Sequence, residues 1–423
     1  MAVTAVVGGH WGDEGKGKVV DALAAHADMV IRYNGGNNAG HTIVGEHGVL
    51  RLHLVPSGIS HPGVDCLIGP GVVVNPMSLF EEIEALERLG VSTARLRIST
   101  RSHLVFPFHV ELDAKIEEAR GGRAHGTTRR GIWPVYADKA ARVGIRAGDL
   151  LEPAYLRERL DEIARRASAA LGRRVDRDEL SSITEHWRER LDPMIVDTHP
   201  IVQQALRRNA RIILEGHLGV MRDLDWGLYP YVTSSTCLAG GACAGAGVPA
   251  QRITRVIGVV KAYTTAVGAG PMPTELRDGV GDALREHGLE YGTSTNRPRR
   301  CGWFDGVAAR FAAEVSGFTD LAVMKLDVLE GFETVKLCVA YRDGGRLLDT
   351  VPHTAVMERA EPVYEELPGW GRTSDVRAME DLPDAARAFL ERIEHITGVP
   401  VSMVGVGRER EALVPIPVVG GVV

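Results

Sequence analysis

The chain has 423 residues, enough for one large α/β domain or two ordinary ones, and its apolar and charged fractions of 44% and 25% are those of an ordinary globular protein. A formal net charge of −6 gives no electrostatic reason to expect a nucleic-acid or acidic-membrane partner.

The five cysteines are odd in number and show no C-x-x-C spacing. We therefore expect neither a disulfide framework nor a zinc site, and a reducing cytoplasm fits. The N-terminal segment lacks the basic stretch and long apolar core of a signal peptide, and no apolar run reaches the length of a membrane span. From these features we expect neither export nor membrane insertion.

A glycine-rich stretch from Gly8 to Lys18 follows a short apolar run, Val3 to Val7, and precedes a helical pattern. We expect it where a strand turns into a helix, because backbone amides and the helix N-terminus bind phosphate there. Gly12 to Lys18 fits the G-x-x-x-x-G-K spacing of a P-loop. Two of the chain's seven lysines, Lys16 and Lys18, lie in it. The sequence predicts a phosphate site here rather than a plain connecting turn.

Two features depart from an ordinary P-loop. Val19 stands where a P-loop has the Ser or Thr that binds magnesium. Asp13 places a carboxylate in a loop that faces phosphate oxygens, and like charges repel unless a metal or a proton intervenes. We interpret Asp13 as a metal ligand, a catalytic base, or both.

A second small-residue loop, Asn34 to Thr42, follows a predicted strand at 29–33. Ligands in α/β sheets bind beyond the carboxyl ends of the strands, so this loop is expected to lie beside the first one. His41 within it is predicted to act as a general acid or as a donor to a developing phosphate charge. A structural histidine is the alternative.

The remaining elements are mostly scaffold. Buried strands are predicted at 64–69, 96–99, 104–106, 212–215, 256–260, 334–341 and 399–405, and amphipathic helices at 77–90 and 385–395. A stretch rich in Arg, Glu, Leu and Ala has helical periodicity and no evident chemistry, and we interpret about 152–207 as a helical insertion.

Three further segments suggest ligand contacts. The basic, glycine-rich loop at 121–131 suits a mobile loop over an anion, and a solvated charged loop is equally compatible. The segment 293–300 places Arg297, Arg299 and Arg300 beside hydroxyls, which suits a second anionic substrate or a solvated turn. A predicted strand at 321–324 ends in Lys325-Leu326-Asp327, a K-x-D spacing that favours guanine over adenine.

Taken together, these segments resemble the adenylosuccinate synthetase family, in order and over nearly the whole length. The segments that carry the resemblance are 12–18, 38–42, 126–128, 231–235, 268–271 and 325–327. The resemblance implies a single α/β domain, 1–423, around a long, mostly parallel central sheet with a P-loop-like phosphate site. It also implies a homodimer with GTP, Mg²⁺, inosine monophosphate and L-aspartate as ligands, and a ligase of purine biosynthesis.

The resemblance further implies a mechanism. Asp13 takes the proton from N1 of the 6-oxopurine, the 6-oxygen attacks the γ-phosphate of GTP, and His41 stabilises the developing charge. The amino group of aspartate then displaces the phosphate from the 6-phosphoryl nucleotide. Asp13 and the Gly40 carbonyl are expected to hold Mg²⁺, which resolves the missing hydroxyl at Val19.

The same resemblance assigns binding residues. The GTP contacts are Gly12, Asp13, Glu14, Gly15, Lys16, Gly17, Lys18, Gly40, His41, Thr42, Arg299, Lys325, Leu326, Asp327, Gly405, Val406 and Gly407. The contacts to inosine monophosphate are Asp13, Glu14, Gly15, Lys16, Asn38, Ala39, Gly40, His41, Thr128, Leu218, Thr233 and Arg297, with Arg142 reaching over from the partner subunit. The aspartate contacts are Thr293, Ser294, Thr295, Asn296, Arg297 and Arg299.

Several positions depart from the family pattern, mostly on the side of the acceptor nucleotide. Leu218 stands where a glutamine that contacts the nucleotide is usual, and Arg129 and Trp133 stand where glycines are usual. The other replaced positions are His10, Asn34, Asn296, Pro298 and the segment 405–408. Two alternatives therefore stay open: the same GTP-driven chemistry on a different oxo-purine nucleotide, or a non-catalytic GTP-binding regulator.

Overall fold

The computed structural model describes residues 3–292 and 297–416. The predicted aspartate contacts Thr293, Ser294, Thr295 and Asn296 lie outside the described residues.

Twenty strands form in the described residues. They are β1 Val3–Gly8, β2 Met29–Arg32, β3 His41–Gly45, β4 Gly48–Leu52, β5 Asp65–Ile68, β6 Val73–Val74, β7 Leu96–Ser99, β8 His103–Leu104, β9 Ile195–Val196, β10 Ile212–Gly219, β11 Ile253–Lys261, β12 Thr264–Ala266, β13 Arg300–Gly302, β14 Phe304–Asp305, β15 Asp320–Met324, β16 Thr334–Asp343, β17 Arg346–Leu348, β18 Glu361–Pro368, β19 Val401–Gly405 and β20 Leu413–Pro415.

Twelve α-helices accompany them in the same parts of the chain. They are α1 Lys16–Ala24, α2 Pro76–Arg88, α3 Pro107–Ala119, α4 Ile132–Ala141, α5 Pro153–Leu171, α6 Arg177–Leu191, α7 Thr198–Arg207, α8 Ala239–Ala246, α9 Gly279–Gly288, α10 Gly306–Ser316, α11 Thr354–Met357 and α12 Asp384–Thr397.

A ten-stranded sheet runs through the molecule in the order β20-β19-β15-β11-β1-β10-β2-β5-β7-β9, and every pair is parallel except β19 with β20. Its central strands are apolar runs because both faces are buried. Val3, Ala5 and Val7 of β1 belong to one core cluster, whereas Val6 belongs to the cluster on the other face. The prediction of a mostly parallel α/β sheet is confirmed.

The sheet brings the predicted ligand loops to one edge. The loops after β1, β2, β10 and β15 all leave the carboxyl ends of parallel strands, and these strands lie within five neighbouring positions of the sheet. Since the carboxyl ends of parallel strands meet at the same edge, segments far apart in sequence converge there.

Three predicted elements differ from the structure. His41 was expected in a loop, but it is the first residue of β3 and pairs with Leu52. The expected strand at 104–106 is reduced to His103–Leu104, because Pro107 begins α3 immediately afterwards. The helical stretch predicted at about 152–207 is three separate helices, α5, α6 and α7, and Gly172 ends the first of them in the left-handed conformation, with φ of 70°.

The helical insertion packs on the main core. Leu160 and Trp187, from α5 and α6, belong to the same apolar cluster as Val6 and Val30 of the central sheet. This shared packing supports a single domain for the whole chain, which stays a prediction. None of the helices in the described ranges is both long and apolar enough to span a membrane.

Candidate functional site

A cavity of about 1030 Å³ opens at the carboxyl edge of the sheet, and most of the predicted site residues line it. Those residues are Asp13, Gly15, Lys16, Gly17, Lys18, Asn38, Ala39, Gly40, His41, Thr42, Thr128, Leu218, Thr233, Arg299, Lys325, Asp327 and Gly407. One concave site therefore combines the phosphate loop, the candidate base and histidine, and the K-x-D segment.

The first loop adopts a conformation that few residue types tolerate. Gly12 and Gly15 have φ of 103° and 99°, and Asp13, with φ of 62°, lies in the left-handed region as well. Glu14 is buried and shapes the turn, because one carboxylate oxygen accepts from the amides of Gly12, at 2.8 Å, and His10, at 3.1 Å. Its other oxygen accepts from Lys16 Nζ at 2.6 Å. Glu14 thus holds the loop from inside.

A buried carboxylate orients His41. Glu215, at the end of the predicted strand 212–215, is fully buried, and its Oε1 lies 2.6 Å from His41 Nδ1. Ser57 donates to the same carboxylate from its hydroxyl, at 2.5 Å, and from its amide, at 2.8 Å. Burial alone would raise the pKa of Glu215, but these hydrogen bonds, the His41 charge and nearby Arg32 lower it. His41 therefore presents Nε2 to the cavity with a fixed ring.

A buried arginine supports the second loop. Arg32, at the end of β2, donates to the carbonyls of Gly36 at 2.9 Å, Asn34 at 3.4 Å and His53 at 2.5 Å. The carbonyls of Asn34 and Gly36 belong to the loop after β2, and that of His53 follows β4. The guanidinium therefore fixes the backbone of the loop that carries Asn38 and Gly40. Asn38 Oδ1 is buried and has no hydrogen-bond partner in the described residues, which suits a ligand donor.

Lys18 is held by the C-terminal loop. Its Nζ donates to the carbonyls of Gly407 at 3.0 Å and Ala412 at 2.9 Å. Burial lowers the pKa of Lys18 to about 8, against the opposing effect of Asp327. A phosphate bound at the loop would give this ammonium group a negatively charged partner in addition to the two neutral carbonyls.

Asp13 faces a network of buried charges. Arg299 Nε lies 3.1 Å from Asp13 Oδ2, and the same guanidinium pairs with Glu290 at 2.5 Å. Glu290 is fully buried and also binds Lys325 at 2.6 Å and Lys261 at 2.9 Å. These three cations hold the pKa of Glu290 well below its usual range despite burial. Lys325 is therefore paired internally rather than lying free beside the K-x-D aspartate.

Asp327 is the unpaired member of the K-x-D segment. Its Oδ1 is buried without a hydrogen-bond partner in the described residues, and burial raises the pKa of the carboxyl. An acceptor of this kind suits a ligand with adjacent N–H donors, such as the edge of guanine. Gly407 lines the same end of the cavity.

Two acidic side chains of α3 hold the basic loop. Glu117 accepts from the amides of Gly126 and Thr127, at 2.5 and 3.0 Å. Asp113 accepts from the Gly131 amide at 3.0 Å and from Trp133 Nε1 at 3.0 Å. Trp133, which replaces an expected glycine, thus fastens the loop to α3 and lines the cavity.

Seven predicted contacts do not line the cavity: Gly12, Glu14, Arg142, Arg297, Leu326, Gly405 and Val406. Leu326 and Val406 are core residues, and Arg142 is exposed at the end of α4. Arg297 donates to the Gly126 carbonyl at 3.2 Å. The ligand contacts of all seven stay predictions.

Sequence reasoning missed several charged groups of the site. Arg222 lines the cavity and donates to the carbonyls of Tyr231, Val267 and Ala269. Glu290 lies in no recognisable motif, and Lys261 ends a strand that looks purely apolar. The only available signal was a charged residue at the end of a buried strand, which applies to Lys261.

The buried ammonium of Lys18 predicts a pH dependence of triphosphate binding. In the free protein the pKa of Lys18 is about 8, and a bound phosphate raises it. Binding therefore takes up a proton above the free-state pKa, and it is strongest below that value. We expect the Kd of GTP, measured by isothermal titration calorimetry, to increase roughly tenfold between about pH 7 and about pH 9. A Kd that is flat over this range, or that decreases, would contradict the role of Lys18.

Comparison with known proteins identifies the family of this chain. A family model described as adenylosuccinate synthetase matches residues 5–414. The adenylosuccinate synthetase of Moorella thermoacetica is 50% identical over 418 residues, 97% of this chain and 98% of the relative. That of Carboxydothermus hydrogenoformans is 49% identical over the same shares.

Solved structures give the same result. The fully ligated adenylosuccinate synthetase from Plasmodium falciparum superposes with a TM-score of 0.94 at 36% identity, covering 99% of this chain and 100% of that chain. The succinoaminodeoxyadenylate synthetase of cyanophage S-2L, at 22% identity and a TM-score of 0.62, shares the fold. By sequence over nearly its whole length, this chain belongs to the adenylosuccinate synthetase family of ligases.

Proposed function

We propose that this chain condenses inosine monophosphate with L-aspartate at the expense of GTP and forms adenylosuccinate through a 6-phosphoryl nucleotide. The observation that carries the proposal is the convergence of Asp13, His41, the phosphate loop and Asp327 on one cavity. A base, a charge-stabilising histidine, a phosphate cradle and an acceptor for guanine are the groups that this chemistry needs.

In the first step, Asp13 accepts the N1 proton of the 6-oxopurine, and the 6-oxygen becomes the nucleophile. This oxygen bonds to the γ-phosphorus of GTP as the bond to the β–γ bridging oxygen breaks, and GDP leaves. Asp13 is partly exposed in the cavity, with Arg299 beside it. Arg299 is also paired to Glu290, so it would keep a buried partner when the substrate separates it from Asp13.

His41 would stabilise the phosphoryl group while it is transferred. Its Nδ1 is engaged by Glu215, so Nε2 is the nitrogen available to donate to oxygens of the transferring group. The buried carboxylate keeps the ring in this orientation, and the donation strengthens as negative charge develops on the phosphoryl oxygens. In the second step, the aspartate amine bonds to carbon 6, the carbon–oxygen bond breaks, and inorganic phosphate departs with the former 6-oxygen.

Mg²⁺ is the proposed metal, and it would neutralise charge on the GTP phosphates. No cluster of three or more His, Cys, Asp or Glu in residues 3–292 and 297–416 could hold a metal by itself. Asp13 and Gly40, whose carboxylate and carbonyl oxygens would be the metal ligands, both line the cavity. A small number of protein ligands suits Mg²⁺, which completes its shell with phosphates and water.

The three substrates take different parts of the cavity. Asp327, with Lys325 and the Gly407 loop, would bind guanine, and the 12–18 loop would bind the GTP phosphates. Asn38, Thr128 and Thr233 would contact the acceptor nucleotide. The segment 293–299 would bind aspartate, with Arg299 at its described end.

A different oxo-purine nucleotide is the second candidate for the acceptor. Leu218 lines the cavity beside Gly12, where the family usually has a glutamine. Leucine cannot donate a hydrogen bond to a base, so the acceptor pocket of this chain differs in at least one contact.

We further propose that the protein works in the cytoplasm as a homodimer. All five cysteines are free thiols, and four of them are buried, which suits a reducing compartment. Arg142 is exposed at the left-handed C-terminus of α4 and lines no part of its own subunit's cavity. It is therefore available to complete the site of a partner subunit.

Turnover on a panel of nucleotides tests the proposed function. Purified protein with GTP, Mg²⁺ and aspartate should release phosphate in the presence of inosine monophosphate, with the ultraviolet shift of an N-substituted purine. Turnover only with another 6-oxopurine nucleotide would favour the second candidate. Tight GTP binding without phosphate release from any nucleotide would contradict both and would favour a regulator.

Removing the charge of Glu215 tests the role of His41. We expect Glu215→Gln to lower kcat by about a hundredfold, because the His41 ring loses the carboxylate that orients it, with little change in the KM of GTP. The exposed Glu118→Gln on α3 is the matched control. An unchanged kcat in Glu215→Gln would show that His41 does not depend on this pair.

Mixing two inactive variants tests the shared site. Arg142→Ala and Asp13→Asn should each be nearly inactive, because one lacks the partner's contact and the other lacks the base. After unfolding and refolding together, random pairing should restore about a quarter of the wild-type activity, since half of the dimers carry one complete site. No recovery, despite dimers being present by light scattering, would contradict a contribution of Arg142 across the interface.

A further inference from the structure

His217 is a buried histidine that no step above uses. It lies in β10, is 2% exposed and lines the cavity. Neither of its ring nitrogens has a hydrogen-bond partner in the part of the chain that the structure describes. The backbone of Asn38 lies near the ring and partly opposes the lowering of its pKa. Buried polar atoms are nearly always paired, so two unpaired nitrogens on a side chain that lines a cavity point to a ligand as their partner.

The surrounding residues hold the ring in place. His217 donates its amide to Asn34 Oδ1 at 2.8 Å, and Asn34 Nδ2 donates back to the His217 carbonyl at 3.4 Å and to Ser235 Oγ at 3.3 Å. The imidazole packs on Gly35, where an added Cβ would come within 2.2 Å of Nδ1. Asn34 and Gly35 thus accommodate this histidine specifically.

The position of His217 assigns it to the acceptor side of the cavity. Two strands, β11 and β1, separate β10 from β15, which carries the guanine-side residues. At about 4.8 Å per strand, His217 lies roughly 14 Å from that side across the sheet. Leu218, its neighbour, lies against the Asp13 loop, with its Cα 3.6 Å from the place of a Cβ on Gly12.

The ring is neutral in this environment. Burial, followed by the charges of Arg32, His41 and Lys16, holds the pKa of His217 well below its usual range. A neutral imidazole offers one N–H donor and one acceptor nitrogen. The unpaired Asn38 Oδ1 adds a further acceptor at the same side of the cavity.

We propose that His217 is a specificity-determining residue that hydrogen-bonds the base of the acceptor nucleotide, while Leu218 covers the base with an apolar side chain. This inference rests on the proposed function and deepens it. The acceptor class is a purine nucleotide whose base lies next to Asp13 and offers an acceptor or a donor to the imidazole. The polar contact comes from residue 217 in this chain, and position 218 supplies only packing.

Variants of His217 distinguish a hydrogen-bonding role of the ring nitrogens from a packing role of the ring. We expect His217→Ala to raise the KM and the Kd of inosine monophosphate roughly ten- to a hundredfold, because a buried hydrogen-bond partner is lost, and to leave the KM of GTP within about twofold. His217→Gln keeps a donor and an acceptor and should recover part of the loss. His217→Phe keeps a ring without nitrogens and should not.

His199→Ala, an exposed histidine on α7, is the matched control, and circular dichroism establishes that each variant is folded. If His217→Ala does not fold, the glutamine and phenylalanine variants carry the comparison. Recovery by phenylalanine rather than glutamine, or an unchanged KM for the nucleotide in His217→Ala, overturns this inference alone. Absence of turnover with every 6-oxopurine nucleotide in the wild-type protein overturns the proposed function and this inference with it.

Discussion

Buried carboxylates determine the geometry of this site. A carboxylate without water must be paired, and a pair in a low-dielectric interior has a narrow range of acceptable positions. Glu14 fixes the phosphate loop and pairs with Lys16. Glu215 orients His41. Glu290 pairs with three cations, one of which also contacts Asp13. The candidate reacting groups are therefore held by acidic partners that are themselves buried.

Several charged groups that the substrates are expected to contact are already paired within the protein. Lys18 is bonded to two carbonyls of the C-terminal loop, Lys325 to Glu290, and Asp13 to Arg299. A bound triphosphate would compete with these internal partners for the same charges, so we expect GTP binding to rearrange the contacts of the site. Burial lowers the pKa of Lys18 to about 8, and a bound phosphate is expected to raise it.

Much of the fold and part of the site could be predicted from the sequence. Apolar runs predicted the central strands, because strands buried on both faces carry continuous apolar segments. The glycines and Lys18 predicted the phosphate loop. Pairs made over long sequence separations could not be predicted: Glu290 contacts Arg299, Lys325 and Lys261 only through the fold. His217 lies next to a departure from the family pattern, Leu218, but its unpaired ring nitrogens depend on packing that no sequence pattern describes.

The fate of the 6-oxygen tests the proposed route through a 6-phosphoryl nucleotide. Inosine monophosphate labelled with ¹⁸O at carbon 6 would be converted with GTP and aspartate, and the released phosphate analysed by mass spectrometry. If the 6-oxygen attacks the γ-phosphorus and leaves with it, as the geometry around Asp13 and His41 predicts, each phosphate carries one labelled oxygen. Unlabelled phosphate, with the label released into water, would contradict a 6-phosphoryl intermediate and the roles assigned to both residues.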